Sequence, residues 1–309
     1  MNDFSRHPLY RIHTLNSAMS SMWAFYRKNF TVLFIMSLAV SLMTQFVSTR
    51  IDFAGMQTIT DPQEMLSEMR GYAAPLLLIA ILNLLFTTVL QYYVIYNPVD
   101  ESNNIVRSLV SSLRYFVPYI IILILLAFFG SMLIVLGLAA LIVGAFLAAL
   151  YVFTVYLFIL PVMMSEGPSI ANTISRTIRL AHRNFWTNAG WTAVFLVILI
   201  VVTVIFSGLI LLPFSGSFLK VFTNPEAAGA VAELASNPLY FILTAVVNAL
   251  VFPLMPVFAC ILYFNGRAGE DQISDAGANR DEDNGRNVRI EDLYARPSPE
   301  EDTAAGEKE

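Results

Sequence analysis

The chain has 309 residues, of which 57% are hydrophobic and only 13% are charged, whereas soluble domains carry about 25% charged residues. A soluble fold of this composition would lack the polar residues needed to cover its surface, and the apolar residues come in long runs rather than short alternations. The formal charge of −5 is concentrated in residues 265–309, which hold 13 acidic and 6 basic residues. The composition therefore predicts a multi-pass membrane protein with an acidic tail.

Residues 1–29 are predicted to be a cytoplasmic N-terminal segment. They contain no apolar stretch followed by a small-residue cleavage site, so we expect no cleaved signal peptide. The stretch "TLNSAMSSMWAFYRKN" at 14–29 predicts an amphipathic helix before the first span, which ends in the basic pair Arg27 and Lys28. Its apolar side is formed by Leu15, Ala18, Met19, Met22 and Tyr26.

Six membrane spans are predicted, because about 20 apolar residues are needed to cross roughly 30 Å of hydrocarbon. Between Arg114 and Glu166 there are 51 uncharged residues, too many for one span, so two helices in a tight hairpin are expected with the turn near Gly137. A turn at lipid depth would need internal backbone partners. The predicted spans are residues 30–49, 73–96, 118–137, 140–163, 189–212 and 239–264.

The distribution of Lys and Arg predicts that both termini are cytoplasmic. In that orientation 15 basic residues lie inside and 3 outside, namely Arg50, Arg70 and Lys220. This is the asymmetry expected from the positive-inside rule. We therefore expect a multi-pass protein of the cytoplasmic (inner) membrane.

Amphipathic helices are also predicted before spans three and five. The stretch at 102–116 puts the apolar residues Ile105, Val106, Leu109, Leu113 and Phe116 on one side and ends in the cluster that contains Arg114.

The stretch "GPSIANTISRTIRLAHRNFW" at 167–186 is predicted to begin at Gly167 and Pro168. Its apolar stripe, Ile170, Ile174, Ile178, Ala181 and Phe185, would face acyl chains or the bundle, with Arg176, Arg179 and Arg183 on the opposite side toward lipid phosphates or water.

These patterns predict an all-α polytopic bundle with a cytoplasmic amphipathic helix before spans 1, 3 and 5. Each of these helices ends in a basic and aromatic cluster, "YRKNF", "LRYF" or "HRNFW". Two interpretations stay open. Either the chain is a threefold quasi-repeat of one surface helix and two spans, or it has three independent interfacial anchors.

Uncharged polar residues and prolines mark two of the spans. In span two, Asn83, Thr87 and Gln91 share a face, which favours hydrogen bonding between helices. In span six, Asn248 lies near Pro253 and Pro256. Prolines release carbonyl groups, and broken helices of this kind form substrate sites in transporters, although a packing kink is the favoured interpretation.

Small residues at four-residue intervals predict close helix packing in span four. Ala140, Gly144 and Ala148 have this spacing, which lets two helix backbones approach each other. Packing within the hairpin against span three is favoured over packing against a second subunit.

The tail at residues 265–309 is acidic and polar, and we expect it to be disordered because it has little apolar surface to bury. The stretch "NVRIEDLYARP" at 287–297 could form a short helix on a partner protein, although a solvated tail is the favoured interpretation.

Three stretches resemble a known family. They are "SEGPSIANTISRTIRLAHRNFW" at 165–186, "YRKNF" at 26–30 and "LYFNGRAGED" at 262–271. The chain resembles, over about residues 15–275, the six-span bacterial family related to the membrane domain of glycerophosphoryl diester phosphodiesterases, in particular its stand-alone members. The resemblance implies a bundle in the cytoplasmic membrane. In those phosphodiesterases the catalytic part is a separate soluble barrel, and no such domain fits in this chain, so enzymatic activity is not carried over.

Catalytic chemistry finds little support in the residues. The three histidines, His7, His13 and His182, lie outside the spans, and the spacing of metal ligands is missing. No charged residue lies well inside a span, whereas ion-coupled pumps usually have one. Glu166 is favoured as a helix cap over a catalytic acid. We expect no enzyme activity, cofactor or metal site.

Three functions remain open on the sequence alone. The first is a non-enzymatic protein that organises lipids or partner proteins at the cytoplasmic face. The candidate contacts to lipid phosphates or a partner are Arg27, Lys28, Arg114, Arg176, Arg179 and Arg183. The second is a transporter or channel for a small or amphiphilic solute, and the third, with least support, is a membrane enzyme. Expected partners are membrane lipids, especially anionic ones, and a protein bound by the cytoplasmic helices or the tail, but no nucleic acid.

Overall fold

A computed structural model of the chain describes residues 4–51, 62–100, 102–139, 141–215 and 237–287. These ranges contain helices and no strand. The helices are α1 (Leu15–Lys28), α2 (Phe30–Ser48), α3 (Pro62–Tyr96), α4 (Ile105–Ala139), α5 (Ile142–Glu166), α6 (Ile170–Arg183), α7 (Phe185–Leu211), α8 (Pro238–Val251) and α9 (Leu254–Asn287).

Six helical stretches are long and apolar enough to cross a membrane, which confirms the predicted all-α polytopic fold. The stretches are Phe30–Ser48, Arg70–Tyr96, Ile105–Ala139, Ile142–Glu166, Phe185–Phe214 and Pro238–Ser274. Spans pack pairwise into a closed ring in the order α2, α3, α4, α5, α7, α8 and back to α2.

The first turns of α9 lie inside this ring. Residues 257–264 are all buried, so this stretch is enclosed on every side, as is typical of a helix that is apolar all round. The ring of Phe258 stacks on Phe195 of α7 at a centroid distance of 4.1 Å. From α3, Gln91 Nε2 donates a hydrogen bond to the Pro256 carbonyl at 3.2 Å. The last span therefore leaves the ring and fills its centre.

Two of the three predicted surface helices are separate elements, and the third is not. Helices α1 and α6 end at Lys28 and Arg183, and a single residue, Asn29 or Asn184, separates each from the next span. Asn29 Nδ2 donates to the Phe25 carbonyl at 3.0 Å, and an Asn side chain that bonds its own backbone favours a helix end. The cluster "LRYF" at 113–116 has no Asn, and the helix predicted before span three is instead the first part of the continuous helix α4.

The buried side of the first part of α4 is polar. Ser108, Ser112 and Tyr115 are buried, whereas Leu109 and Leu113 on the predicted apolar side are exposed. In α1, by contrast, the apolar residues Ala18, Met22 and Tyr26 face the bundle, as they must if α1 is to pack on it.

The hairpin between α4 and α5 turns later than predicted. Gly137 is still helical, because α4 ends at Ala139 and α5 begins at Ile142. The turn contains Leu141, whose φ of 85° lies in the left-handed region that L-residues rarely adopt. Its amide donates to the Leu138 carbonyl at 3.1 Å. This local bond satisfies the backbone without a polar turn residue.

The sixth span is broken at its prolines and continues further than predicted. Helix α8 ends at Val251, and α9 begins after Pro253 and runs to Asn287. Residues 265–287 are therefore helical rather than disordered, because the end of the span provides an already formed helix from which elongation continues. Arg267 and Glu270, three residues apart on this extension, form an ion pair at 3.8 Å. Residues 288–309 of the predicted tail lie outside the described ranges.

Candidate functional site

The carboxyl end of α5 is held by two tyrosines from neighbouring spans. The Met164 carbonyl would normally accept the amide four residues later, but that residue is Pro168, which has no N–H. Instead, the hydroxyl of Tyr96 donates to this carbonyl at 2.6 Å and that of Tyr115 at 3.3 Å. Proline thus creates an acceptor that ties α3 and α4 to the end of α5.

Gly167 and Pro168 end α5 rather than begin α6. Gly167 is the C-cap of α5, and its φ of 110° is a backbone conformation that favours glycine. Helix α6 begins at Ile170, after Ser169. The expected start of α6 at Gly167 is therefore wrong. The chain reverses direction at these residues, so that α6 packs against α5.

Glu166 and Arg176 form an ion pair across this turn. Arg176 Nε donates to Glu166 Oε1 at 2.9 Å, and the hydroxyl of Tyr263 donates to the same oxygen at 3.2 Å. The Arg176 side chain is only 7% exposed and that of Glu166 18%. Both charges are therefore largely removed from water, and each depends on the other.

The burial of Arg176 corrects the predicted orientation of α6. The side of α6 that faces the bundle contains Thr173, Arg176, Thr177 and Leu180, which are all buried. Arg176 is a structural residue rather than a lipid-phosphate contact, because its charge is used by Glu166. Arg179 and Arg183 are exposed, as are Arg27, Lys28 and Arg114. The guanidinium of Arg114 lies 4.6 Å from the centroid of the Tyr115 ring.

Residues 4–14 form a segment that packs on the bundle, which the sequence did not indicate. His7 and Leu9 are both buried at 2% exposure. The Leu9 amide donates to His7 Nδ1 at 3.1 Å, so Nε2 carries the proton and donates to the Val94 carbonyl at 3.1 Å. His7 also contacts the Phe264 ring at a centroid distance of 4.6 Å. The neutral imidazole thus docks the segment onto α3 and α9.

Acidification should release this N-terminal segment. Burial lowers the pKa of His7 from 6.5 to about 4, so the folded state disfavours the charged imidazole. The contribution of His7 to stability is then fully present above about pH 6.5, and it falls by about 3 kcal/mol as the pH drops to about 4. Burial lowers the pKa of His13 as well. The protection factors of the amides of residues 4–13, which correct for the pH dependence of intrinsic hydrogen exchange, should fall steeply across this pH window.

The variant His7→Gln is the control for this pH dependence. A glutamine amide can still donate to the Val94 carbonyl, but it does not titrate. We expect the variant to lose most of the pH dependence. Protection factors in the wild-type chain that stay unchanged down to the low end of the window would show that His7 does not hold the segment.

An apolar cavity of about 510 Å³ lies between α4, α5 and α6. Its wall is aliphatic and aromatic, and only Tyr151 and Thr177 contribute hydroxyl groups. From α6, Ile174 and Ile178 complete the wall. Because Phe129 of the wall is 63% exposed and Ile178 is 44% exposed, the cavity opens to the outer surface of the bundle.

A tyrosine–histidine pair lies at one edge of this cavity. His182 Nδ1 donates to the Ile178 carbonyl at 2.8 Å, which leaves Nε2 as the acceptor for the Tyr151 hydroxyl at 3.4 Å. Phe185 packs on both rings, and the next residue, Trp186, is 78% exposed. Exposed tryptophan beside basic residues is typical of a membrane–water interface.

Of the polar and proline residues of spans two and six, Thr87, Gln91 and Pro256 line one small internal pocket, whereas Asn83 and Asn248 do not. Asn83 Nδ2 donates to Ile79 of its own helix at 2.9 Å, so of the span-two residues only Gln91 makes the expected bond to another helix. Asn248 is exposed, whereas Pro253 and Pro256 are buried. The proline break therefore serves to bring α9 into the centre of the ring.

The small residues of α5 pack within the hairpin, as predicted for Gly144. A Cβ built on Gly137 of α4 would lie 2.5 Å from the Gly144 carbonyl oxygen, which shows how closely the two backbones approach. Ala148 is buried. Ala140 lies outside the described residues.

The six helices that are long and apolar enough to cross a membrane define an all-α multi-pass membrane protein. A comparison with protein-family models finds no match, and neither do comparisons with curated proteins and with solved structures. The resemblance to the family of the phosphodiesterase membrane domain stays a prediction. In the part of the chain that the structure describes, no cluster of three or more His, Cys, Asp or Glu could hold a metal ion.

Proposed function

We propose that this chain is a non-enzymatic integral membrane protein that organises lipids at the cytoplasmic face of the inner membrane. The observation that carries the proposal is the arrangement of α6. Its Ile174 and Ile178 line an apolar cavity beside two spans, whereas Arg179 and Arg183 are exposed. A lipid has the same two parts, an apolar chain and an anionic phosphate, and Arg recognises phosphate well.

The exposed basic residues of other elements support the same function. Arg27 and Lys28 end α1, and Arg114 lies in the first part of α4. In the proposed orientation all three face the cytoplasm, where anionic lipids attract basic residues with about 1 kcal/mol each. Transport has less support, since Asn83 bonds within its own helix and Asn248 faces outward.

The double variant Arg179→Gln/Arg183→Gln should lose its preference for anionic lipid. Delipidated protein would be offered equal amounts of phosphatidylglycerol and phosphatidylcholine, and the bound lipids counted by native mass spectrometry. We expect the preference for phosphatidylglycerol to fall roughly tenfold or more, since each basic residue contributes about 1 kcal/mol.

The matched control is Arg50→Gln/Arg70→Gln, which removes two exposed arginines that we place on the outer face. It should keep the preference, because these residues lie away from α6. An equal loss in both double variants, or no loss in either, would refute the proposed role of α6.

A further inference from the structure

The wall of the cavity matches one leaflet of a bilayer in length. Along α4 it extends from Ile122 to Leu133, which at 1.5 Å per residue is about 16 Å. The hydrocarbon core of a bilayer is about 30 Å thick, so the cavity is about as long as one extended acyl chain. Its volume of about 510 Å³ falls within the range of roughly 300–1,000 Å³ that is typical of ligand pockets.

The cavity is accessible from the hydrocarbon rather than from water. Its walls come from α4 and α5, two of the candidate spans, and Leu125, Phe129 and Leu133 on its α4 side are partly exposed. In a membrane these side chains meet lipid. A chain can therefore enter sideways between the helices, without crossing a polar surface.

We propose that the cavity binds one acyl chain of an anionic glycerophospholipid. The phosphate of that lipid lies against Arg179 and Arg183, which are exposed on α6. Charge complementarity selects this occupant over a second copy of the chain, because the apolar wall and the exposed arginines belong to one helix. The inference rests on the proposed function and names the lipid site within it.

The test uses the full chain in vesicles that contain phosphatidylglycerol with a photoreactive diazirine halfway along one acyl chain. After irradiation, we expect labelled peptides to be concentrated on the cavity residues of α4 and α5. The variant Val155→Trp puts a large side chain into the cavity and should reduce this labelling about tenfold, the factor that corresponds to a loss of 1.4 kcal/mol. Its control is Val143→Trp, an exposed position of the same helix outside the cavity.

The variant Leu125→Trp tests the site from α4, at a position that is 38% exposed, so it does not depend on Val155→Trp folding. It fills part of the cavity and should lower the labelling several-fold. Leu136→Trp, an exposed position of the same helix outside the cavity, should leave the labelling unchanged. Labelling that spreads equally over the exposed face of α7, or labelling that both cavity variants leave intact, would overturn the proposal. A cavity filled by protein would also show no enrichment.

This test separates the two proposals. With Arg179→Gln/Arg183→Gln, the preference for the anionic headgroup should fall while the chain still labels the cavity. If the cavity variants lose labelling but the arginine variants keep their lipid preference, the acyl site stands and the role of the basic surface fails. If the cavity variants keep the labelling but the arginine variants lose their lipid preference, the acyl site alone is refuted.

Discussion

Replacing Arg176 with glutamine should destabilise the protein by about 3 kcal/mol, the cost of breaking a buried ion pair from one side. The Glu166 carboxylate would keep its bond from Tyr263 but lose the Arg176 guanidinium in a largely buried position. Because Glu166 is 18% exposed, we expect the loss of stability to lie near the lower end of the range for buried ion pairs. The free energy of unfolding can be measured by SDS titration in mixed micelles.

The control for this prediction is Arg179→Gln, an exposed position of the same helix one turn later. It should change stability by less than about 0.5 kcal/mol. The double variant Glu166→Gln/Arg176→Gln removes both charges and should recover most of the lost stability. If Arg176→Gln is no more destabilising than Arg179→Gln, the pair does not hold α6 to α5.

Gly137→Ala should move α4 away from α5 and destabilise the protein by about 3 kcal/mol, the upper end of the range for overpacking. The new Cβ would lie 2.5 Å from the Gly144 carbonyl oxygen and 2.9 Å from the Ala145 amide nitrogen. These are backbone atoms, so no rotamer change relieves the clash, and the two helices must move apart. The same SDS titration measures the loss.

Gly208→Ala is the matched control, a second glycine within a spanning helix. Nothing lies within 4 Å of a Cβ at this position, and alanine favours a helix by about 1 kcal/mol over glycine. Gly208→Ala should therefore be neutral or stabilising. An equal loss in both variants would mean that Gly137 is important for helix flexibility rather than for close packing.

The spans could be predicted because their signal is local. A run of about 20 apolar residues marks a span wherever it occurs, and the six predicted spans correspond to the six in the structure. The predicted boundaries that are wrong depend on signals that are harder to recognise in the sequence. The sequence predicts the turn near Gly137, but the missing side chain of Gly137 serves the contact with Gly144, and the turn itself uses local backbone bonds.

The candidate site was harder to predict because it depends on contacts between distant residues. Helical periodicity placed Arg176 with Arg179 and Arg183, but it could not show that Glu166 lies within reach across the turn at Gly167 and Pro168. The role of Pro168 has a sequence signal, since it identifies Met164 as the carbonyl without an amide partner.

The apolar cavity has no comparable signal in the sequence. It is a gap between three helices, α4, α5 and α6, and its size depends on their packing rather than on any one residue. The docking of His7 on Val94 likewise joins residues 87 positions apart.

The most direct test of the central claim is native mass spectrometry of the full chain released from its own membrane with its lipids. We predict a species that retains a stoichiometric anionic phospholipid, which is lost from the Arg179→Gln/Arg183→Gln variant. The same lipid should be retained by Arg50→Gln/Arg70→Gln. A wild-type chain that carries no lipid, or that carries zwitterionic and anionic lipids in proportion to their abundance, would contradict a lipid-organising function.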